Sequence, residues 1–234
     1  MVKKIINNLL AKIGYVINKR HDYLTDKNDA ERLAKYAQEN DVIKLHFGCG
    51  PRVLKGWINI DLSYAHYGPY LQYYTDKDYP PAIRGDRNDL FIINILKDGL
   101  PLPDESVDVI FHEDFFEHLT QKEQFIFLAE TLRVMKKGAV QRINTPNLLA
   151  SMRDNSVFGK GKNGVFVGEW DWWHHLSIVT PAVLEETAKI VGYNEIQFNS
   201  KNQSIIASQL PYEYRPDKRD RAAADSNVFA DLIK

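Results

Sequence analysis

The stretch that most constrains this chain is residues 43–61, IKLHFGCGPRVLKGWINID. Ile43, Leu45 and Phe47 form an alternating apolar run that Gly48-Cys49-Gly50-Pro51 breaks sharply. Trp57, Ile58 and Ile60 form a second run, closed by Asp61. A strand, a glycine turn and a second strand ending in an acid is how an open α/β sheet receives an adenosyl group. The glycines let the backbone approach a ligand closely, and the carboxylate accepts hydrogen bonds from ribose hydroxyls. Ten residues separate Gly50 from Asp61, and Pro51-Arg52 stands where a dinucleotide fingerprint continues toward its third glycine. That fingerprint places its acid roughly 20 residues on, so the spacing speaks against NAD.

The rest of the chain reads as one α/β domain around this stretch. Its 234 residues, 44% hydrophobic and 12% aromatic, suffice for a full core. A net charge of −1 gives no electrostatic footprint for nucleic acid. The single cysteine, Cys49, excludes a disulfide framework. No apolar run reaches the roughly 20 residues that span a bilayer, and no signal-peptide pattern appears, so a cytoplasmic protein is expected.

Residues 1–20 read as a basic amphipathic helix with an apolar stripe from Ile5 to Ile17 and cations at Lys3, Lys4, Lys12, Lys19 and Arg20. Such a helix can lie on the inner membrane face or pack on the domain or a second subunit. The expected division is therefore this N-terminal segment, 1–24, followed by a domain over 25–234. Asn28 and Glu31 suggest a capping box for a helix to about Gln38. Residues 62–88 form a tyrosine-rich loop, either functional or an aromatic cover. Residues 90–96, LFIINIL, read as a buried strand and Val107–Phe111 as another. Thr120 and Glu123 form a second capping box for a helix through Met135, with Lys136, Lys137 and Gly138 at its end. Residues 139–144 make a strand, 148–169 a glycine-rich segment, Thr180-Pro181 a helix start, and Gly192 its stop. Glu195–Asn199 and Val228–Ile233 are two strands with no helix between them. The pattern predicts a mostly parallel sheet closed by an antiparallel strand.

Four segments in order carry a family likeness: LHFGCGPRVLKGWINIDL, LPLPDESVDVIFHEDFFEHL, TLRVMKKGAVQRINTPNL and HLSIVTPAVLEETAKIVGY. Together they resemble the class I S-adenosylmethionine (SAM)-dependent methyltransferases, and within them the small type 11 enzymes found among bacterial surface-polysaccharide genes. The resemblance implies a Rossmann-like seven-stranded sheet in the order 3-2-1-4-5-7-6, strand seven antiparallel, with helices on both faces. It implies that Gly48, Cys49 and Gly50 form the cofactor turn and that Asp61 meets the ribose. Asn94 would face the adenine, and His112 would sit at the end of strand four beside the sulfonium. The insertions 62–88 and 148–175 would form the acceptor side. The Asn-Pro-Pro-Tyr tetrad of many DNA and amine methyltransferases is replaced by His-Glu-Asp-Phe, which again disfavours nucleic acid.

Methyl transfer to an alcohol gains from a general base, typically His or a carboxylate. The candidates are His112, Glu113, His118 and His175. The structural alternative has Glu117-His118 cap and brace neighbouring strands and His175 pack. No metal is expected, although Asp114, Glu117 and His118 share one helical face in a D-x-x-E-H spacing. That spacing resembles the E-x-x-E-H of quinone-type O-methyltransferases and would be the divalent-cation alternative. Trp170, Trp172 and Trp173 suit a sugar face or the core. The expected activity is methyl transfer from SAM, with release of S-adenosylhomocysteine, to a hydroxyl of a sugar or nucleotide-sugar-linked glycan precursor. A quinone- or polyketide-type acceptor and a non-catalytic SAM-binding subunit are the alternatives.

Overall fold

The computed structural model describes residues 23–63, 76, 79–153, 168–215 and 223–234. The expected helix of residues 1–20, most of the tyrosine-rich loop and the glycine-rich 154–167 lie outside these residues. Seven strands, β1 (Lys44–Phe47), β2 (Ile58–Asp61), β3 (Leu90–Ile92), β4 (Val107–Glu113), β5 (Met135–Pro146), β6 (Glu195–Phe198) and β7 (Asn227–Ile233), form one sheet in the order 3-2-1-4-5-7-6. Strands β3-β2-β1-β4-β5 pair in parallel, and β7 runs antiparallel to both β5 and β6. This is the expected topology, with the order reversing between β1 and β4.

The helices are α1 (Lys27–Glu39), α2 (Ile95–Asp98), α3 (Gln121–Val134), α4 (Leu148–Ser151), α5 (Gly168–Trp173) and α6 (Pro181–Val191). Thr120 and Glu123 form the expected capping box on α3, while α6 starts on Thr180-Pro181 and stops on Gly192 at φ +114°. Three local expectations are corrected. Asp26, not Asn28, caps α1, because its carboxylate accepts the backbone N–H groups of Asn28 and Asp29. The apolar run 90–96 is divided: β3 ends at Ile92, and the Asn94 side chain caps α2. Lys136, Lys137 and Gly138 open β5 rather than close α3, because Met135 already has extended backbone.

The longer helices α1, α3 and α6 share one face. Leu33, Phe127, Leu128, Leu184 and Ala188 pack there on Leu45, Phe47, Ile58 and Ile60. On the opposite face, where the sequence leads one to expect helices too, the cover among the described residues is loop. Leu54, Trp57 and Tyr79 pack on Val109 and Phe111, joined by Ile83, Ile206 and Leu210.

The loop-covered face begins with an unusually short crossover. Parallel strands normally need a dozen or so connecting residues and a helix, yet β1 and β2 are joined by residues 48–57 with no helix. A buried polar side chain, Asn59, organises the connection. Its Oδ1 accepts the Leu54 N–H (2.8 Å) and faces His46 Nδ1 (2.9 Å), while its Nδ2 donates toward the carbonyls of Leu54, Trp57 and Asp89 (2.9, 3.0 and 3.0 Å). His46 therefore carries its proton on Nδ1.

Asn59→Leu strands the Leu54 N–H and the His46 Nδ1–H in the interior. At about 1–3 kcal/mol per orphaned group, it should lower the unfolding free energy by at least about 2 kcal/mol in urea titrations. Asn59→Asp, which keeps the shape but cannot donate, should also destabilise.

Candidate cofactor and acceptor site

A cavity of about 290 Å³ opens at the carboxyl ends of β1–β4, where the strand order reverses. This is where open α/β sheets bind ligands, and the volume is at the small end of the roughly 300–1,000 Å³ of small-molecule sites. Phe47, Gly48, Asp61, Asn94, Asp114, Phe115 and His118 line it, with apolar walls from Ile93, Ile95, Leu96 and Leu119.

Gly48 and Gly50 both have positive φ (+59° and +48°), which favours glycine. They differ in surroundings. A Cβ on Gly48 would come within 2.4 Å of the Phe115 side chain, whereas one on Gly50 would meet nothing within 4 Å. The turn also fixes the acid. Asp61 Oδ2 accepts the Gly50 N–H (2.9 Å), and Oδ1 accepts the Leu62 N–H (2.7 Å). An oriented carboxylate beside an open glycine and an apolar wall suits a ribose hydroxyl pair and an attached base. Cys49 is buried, and burial together with Asp61 pushes its thiol well above the ordinary range, so it supplies shape and not a thiolate. Asn94 lines the cavity, but its side chain accepts the Lys97 N–H (3.2 Å) and donates to the Tyr23 carbonyl (2.8 Å). It holds the cavity wall in place.

Two expected site residues lie elsewhere. His112 is fully buried on the helix-covered face, among the rings of Phe115, Phe116 and Phe127. Tyr193 O–H donates to Gln141 Oε1 (2.7 Å), so the Gln141 amide donates to His112 Nε2 (3.1 Å) and the imidazole proton sits on Nδ1. That Nδ1–H meets no hydrogen-bond partner. The correction follows from the length of β4, which runs two residues past Phe111 and places His112 inside the sheet. Glu113 points to the opposite face. It accepts from Arg52 (3.1 Å), Asn144 (2.6 Å) and the backbone N–H groups of Tyr214 (3.0 Å) and Arg215 (2.8 Å). It fastens a distant segment to the sheet and does not line the cavity.

Beyond β4 the chain turns through Asp114 at φ +51°, and the Asp114 carboxylate pairs with Arg215 (2.7 Å). The next turn brings Glu117 and His118 together with His175, their ligand atoms all within 4.8 Å of one another. Asp114 is not in this group, so the expected trio of Asp114, Glu117 and His118 is corrected to one containing His175. His118 is exposed at the cavity and its ring meets His175 edge-on at 4.9 Å. His175 is buried, with Nδ1 2.7 Å from Glu169 Oε2 and Nε2 3.9 Å from Glu117 Oε1. Trp170 and Trp173 are exposed on α5 and do not join the core; the Trp172 side chain lies outside the described residues.

Sequence reasoning missed Phe115, Glu169 and the apolar cavity wall. Phe115 is flanked by the polar group and was legible only as one of two phenylalanines. Glu169 precedes the tryptophans by one residue, but nothing in one dimension points it at His175.

The buried ionisable groups give a pH signature. His46 and His112 are held neutral by burial, each at about 3 against an ordinary 6.5. Between those values the unfolded chain binds more protons, so stability falls on acidification. Burial pushes Glu113 up to about 7 from 4.5, against the pull of Arg52, so it acts in the opposite sense over that narrower range. Two imidazoles against one carboxyl predict, from these three groups, a net loss of stability from pH 6.5 down to 4.5, steeper below. His112→Gln should make the loss on acidification shallower, as read by urea denaturation at a series of pH values.

Comparison with known proteins agrees with this geometry. Residues 72–142 match the family model described as a methyltransferase domain. A curated protein of Mycolicibacterium smegmatis, described as a probable S-adenosylmethionine-dependent methyltransferase, is 46% identical over 48 residues, 20% of this chain and 18% of its own length. The chain thus aligns with less than a fifth of that relative. A SAM-dependent methyltransferase from Archaeoglobus fulgidus superposes with a TM-score of 0.50 at 14% identity, covering 88% of this chain and 92% of its own. Phosphoethanolamine N-methyltransferase 2 of Haemonchus contortus, solved with S-adenosylhomocysteine, superposes with a TM-score of 0.50 at 14% identity, covering 89% and 52%. Among the described residues no helix is long and apolar enough to cross a membrane. The sheet order and the cavity at its reversal point give this chain the fold of those SAM-dependent methyltransferase structures, and its residues 72–142 match a methyltransferase domain model.

Proposed function

We propose that the chain is an enzyme that transfers the methyl group of SAM to a hydroxyl of a sugar or nucleotide-sugar-linked glycan precursor. The observation that supports this reading is the polar cluster at the edge of the cavity: His118 lines the cavity and stands against His175, Glu117 and, through His175, Glu169. SAM, when bound, supplies a methyl group on a sulfonium, an electrophile that needs an aligned nucleophile more than elaborate activation.

The chain's own residues divide the work. Asp61, oriented by the Gly50 and Leu62 N–H groups, holds the ribose. The open side of Gly50 admits the ligand backbone, and Ile93, Ile95 and Leu96 exclude water from the base. Phe115 closes the wall over Gly48. On the other side, His118 reaches the acceptor hydroxyl and weakens its hold on the proton. The exposed indoles of Trp170 and Trp173 favour a sugar, whose C–H faces stack on aromatic rings.

Calorimetry with S-adenosylhomocysteine should give saturable binding to the wild type. Asp61→Ala should weaken it at least about a hundredfold, the loss of two charge-assisted hydrogen bonds. Labelled SAM offered with nucleotide-sugars, lipid-linked sugars and phenolic acceptors should mark the sugars. Transfer to phenols alone would overturn the glycan assignment.

A further inference from the structure

The structure assigns Glu117, His118 and His175 a site for one divalent transition-metal ion of the zinc class, with Glu169 as the outer carboxylate that orients His175. Binding of the ion stands on its own; its role in receiving the acceptor rests on the function proposed above.

The three groups come from two segments that are tied together. The N–H groups of Leu176 and Ser177 donate to the Glu117 carbonyl (2.8 and 3.1 Å), which holds His175 beside the turn carrying Glu117 and His118. Each ligand atom is also selected by its surroundings. Glu117 Oε2 accepts the Thr145 hydroxyl (3.0 Å), which leaves Oε1 toward His175. His175 Nδ1 lies 2.7 Å from Glu169 Oε2, off the line of a hydrogen bond, and a carboxylate this close favours the proton on Nδ1, with Nε2 toward Glu117. Glu169 is itself held by the Ser151 hydroxyl. A carboxylate behind a histidine, fixing its tautomer and orientation, is the usual outer shell of a metal-bound imidazole.

The dimensions fit with a contraction. His175 Nε2 and Glu117 Oε1 are 3.9 Å apart, too far for a hydrogen bond. Two ligands at about 2.1 Å from one ion stand about 3.4 Å apart in tetrahedral geometry, so this pair closes by about half an ångström. The full set lies within 4.8 Å, so its widest pair must close by up to about 1.4 Å, a movement that a side-chain rotation of the exposed His118 supplies. Two imidazoles and a carboxylate favour zinc, cobalt, iron or nickel over magnesium or calcium, which prefer oxygen. A three-ligand set leaves a coordination position open. His118 lines the cavity, so an ion held there would stand at the cavity's edge and, in place of the ligated His118 ring, would itself polarise an acceptor hydroxyl.

The test uses the untagged full chain, stripped with chelator and dialysed against zinc(II) and cobalt(II). One equivalent should bind, and the cobalt form should show visible absorption of a low-symmetry site. His118→Ala, at an exposed position where folding is not at risk, should weaken metal affinity at least tenfold. Glu169→Gln should weaken it about 10–100-fold, while Asp114→Asn should leave it unchanged. Absence of stoichiometric binding, or equal binding by His118→Ala, would overturn the assignment. S-adenosylhomocysteine titration of the same samples separates the two readings. Metal without nucleoside binding would sink the methyltransferase proposal alone, and nucleoside without metal would sink this one alone.

Discussion

The site depends on the five contacts of one buried amide. Asn59 holds the ten-residue crossover between β1 and β2 in a shape that would otherwise need a helix. Because the crossover is short, Asp61 arrives directly beside the glycine turn, close enough for the Gly50 N–H to bind its carboxylate. The orientation of the Asp61 carboxylate and the packing of the strand pair thus have a common cause. His46, next to Asn59 on β1, serves the same end as a neutral donor.

The two faces of the sheet have different chemistry. Under α1, α3 and α6 the interior is apolar and aromatic, with the His112–Gln141–Tyr193 chain as its buried polar thread. Under the loops it is heavily charged. Arg52 pairs with Glu113, and Arg142 with Glu213 (2.7 Å) and Asp231 (3.3 Å), all buried. Loops carry backbone polar groups that a helix would satisfy internally, so the side chains beneath them must answer those groups. Glu113 does this for Tyr214 and Arg215, and Asp231 for Ile205 (2.9 Å).

The parts of the fold that rest on local rules were legible in the sequence. Strand alternation, the capping box at Thr120, the stop at Gly192 and the glycine turn each act over a few residues, and each stands where the pattern places it. The glycine turn and its acid were readable for the same reason, since Gly48, Gly50 and Asp61 lie within one supersecondary unit. The other side was not. Whether His112 faces the cavity depends on where β4 ends, and element ends are weakly encoded. Glu113 looked catalytic because an acid at a strand tip usually is solvent-facing, and its true partners lie about a hundred residues away. His175 was readable as a candidate but its association with Glu117 and Glu169 was not, since it arises from the packing of two separate segments.

One feature of the topology bears on how the chain reaches this state. Strand β7 lies between β5 and β6 although it follows both in sequence. Until residues 227–233 have left the ribosome, β5 presents a bare edge of unpaired backbone groups, and Arg142 lacks its Asp231 partner. The outer sheet is therefore completed by insertion from the C-terminal direction, in a single late step that joins contacts far apart in sequence. A nascent chain halted before that step holds a nearly finished glycine turn on an open-edged sheet, the state in which pairing with a neighbouring chain competes with folding.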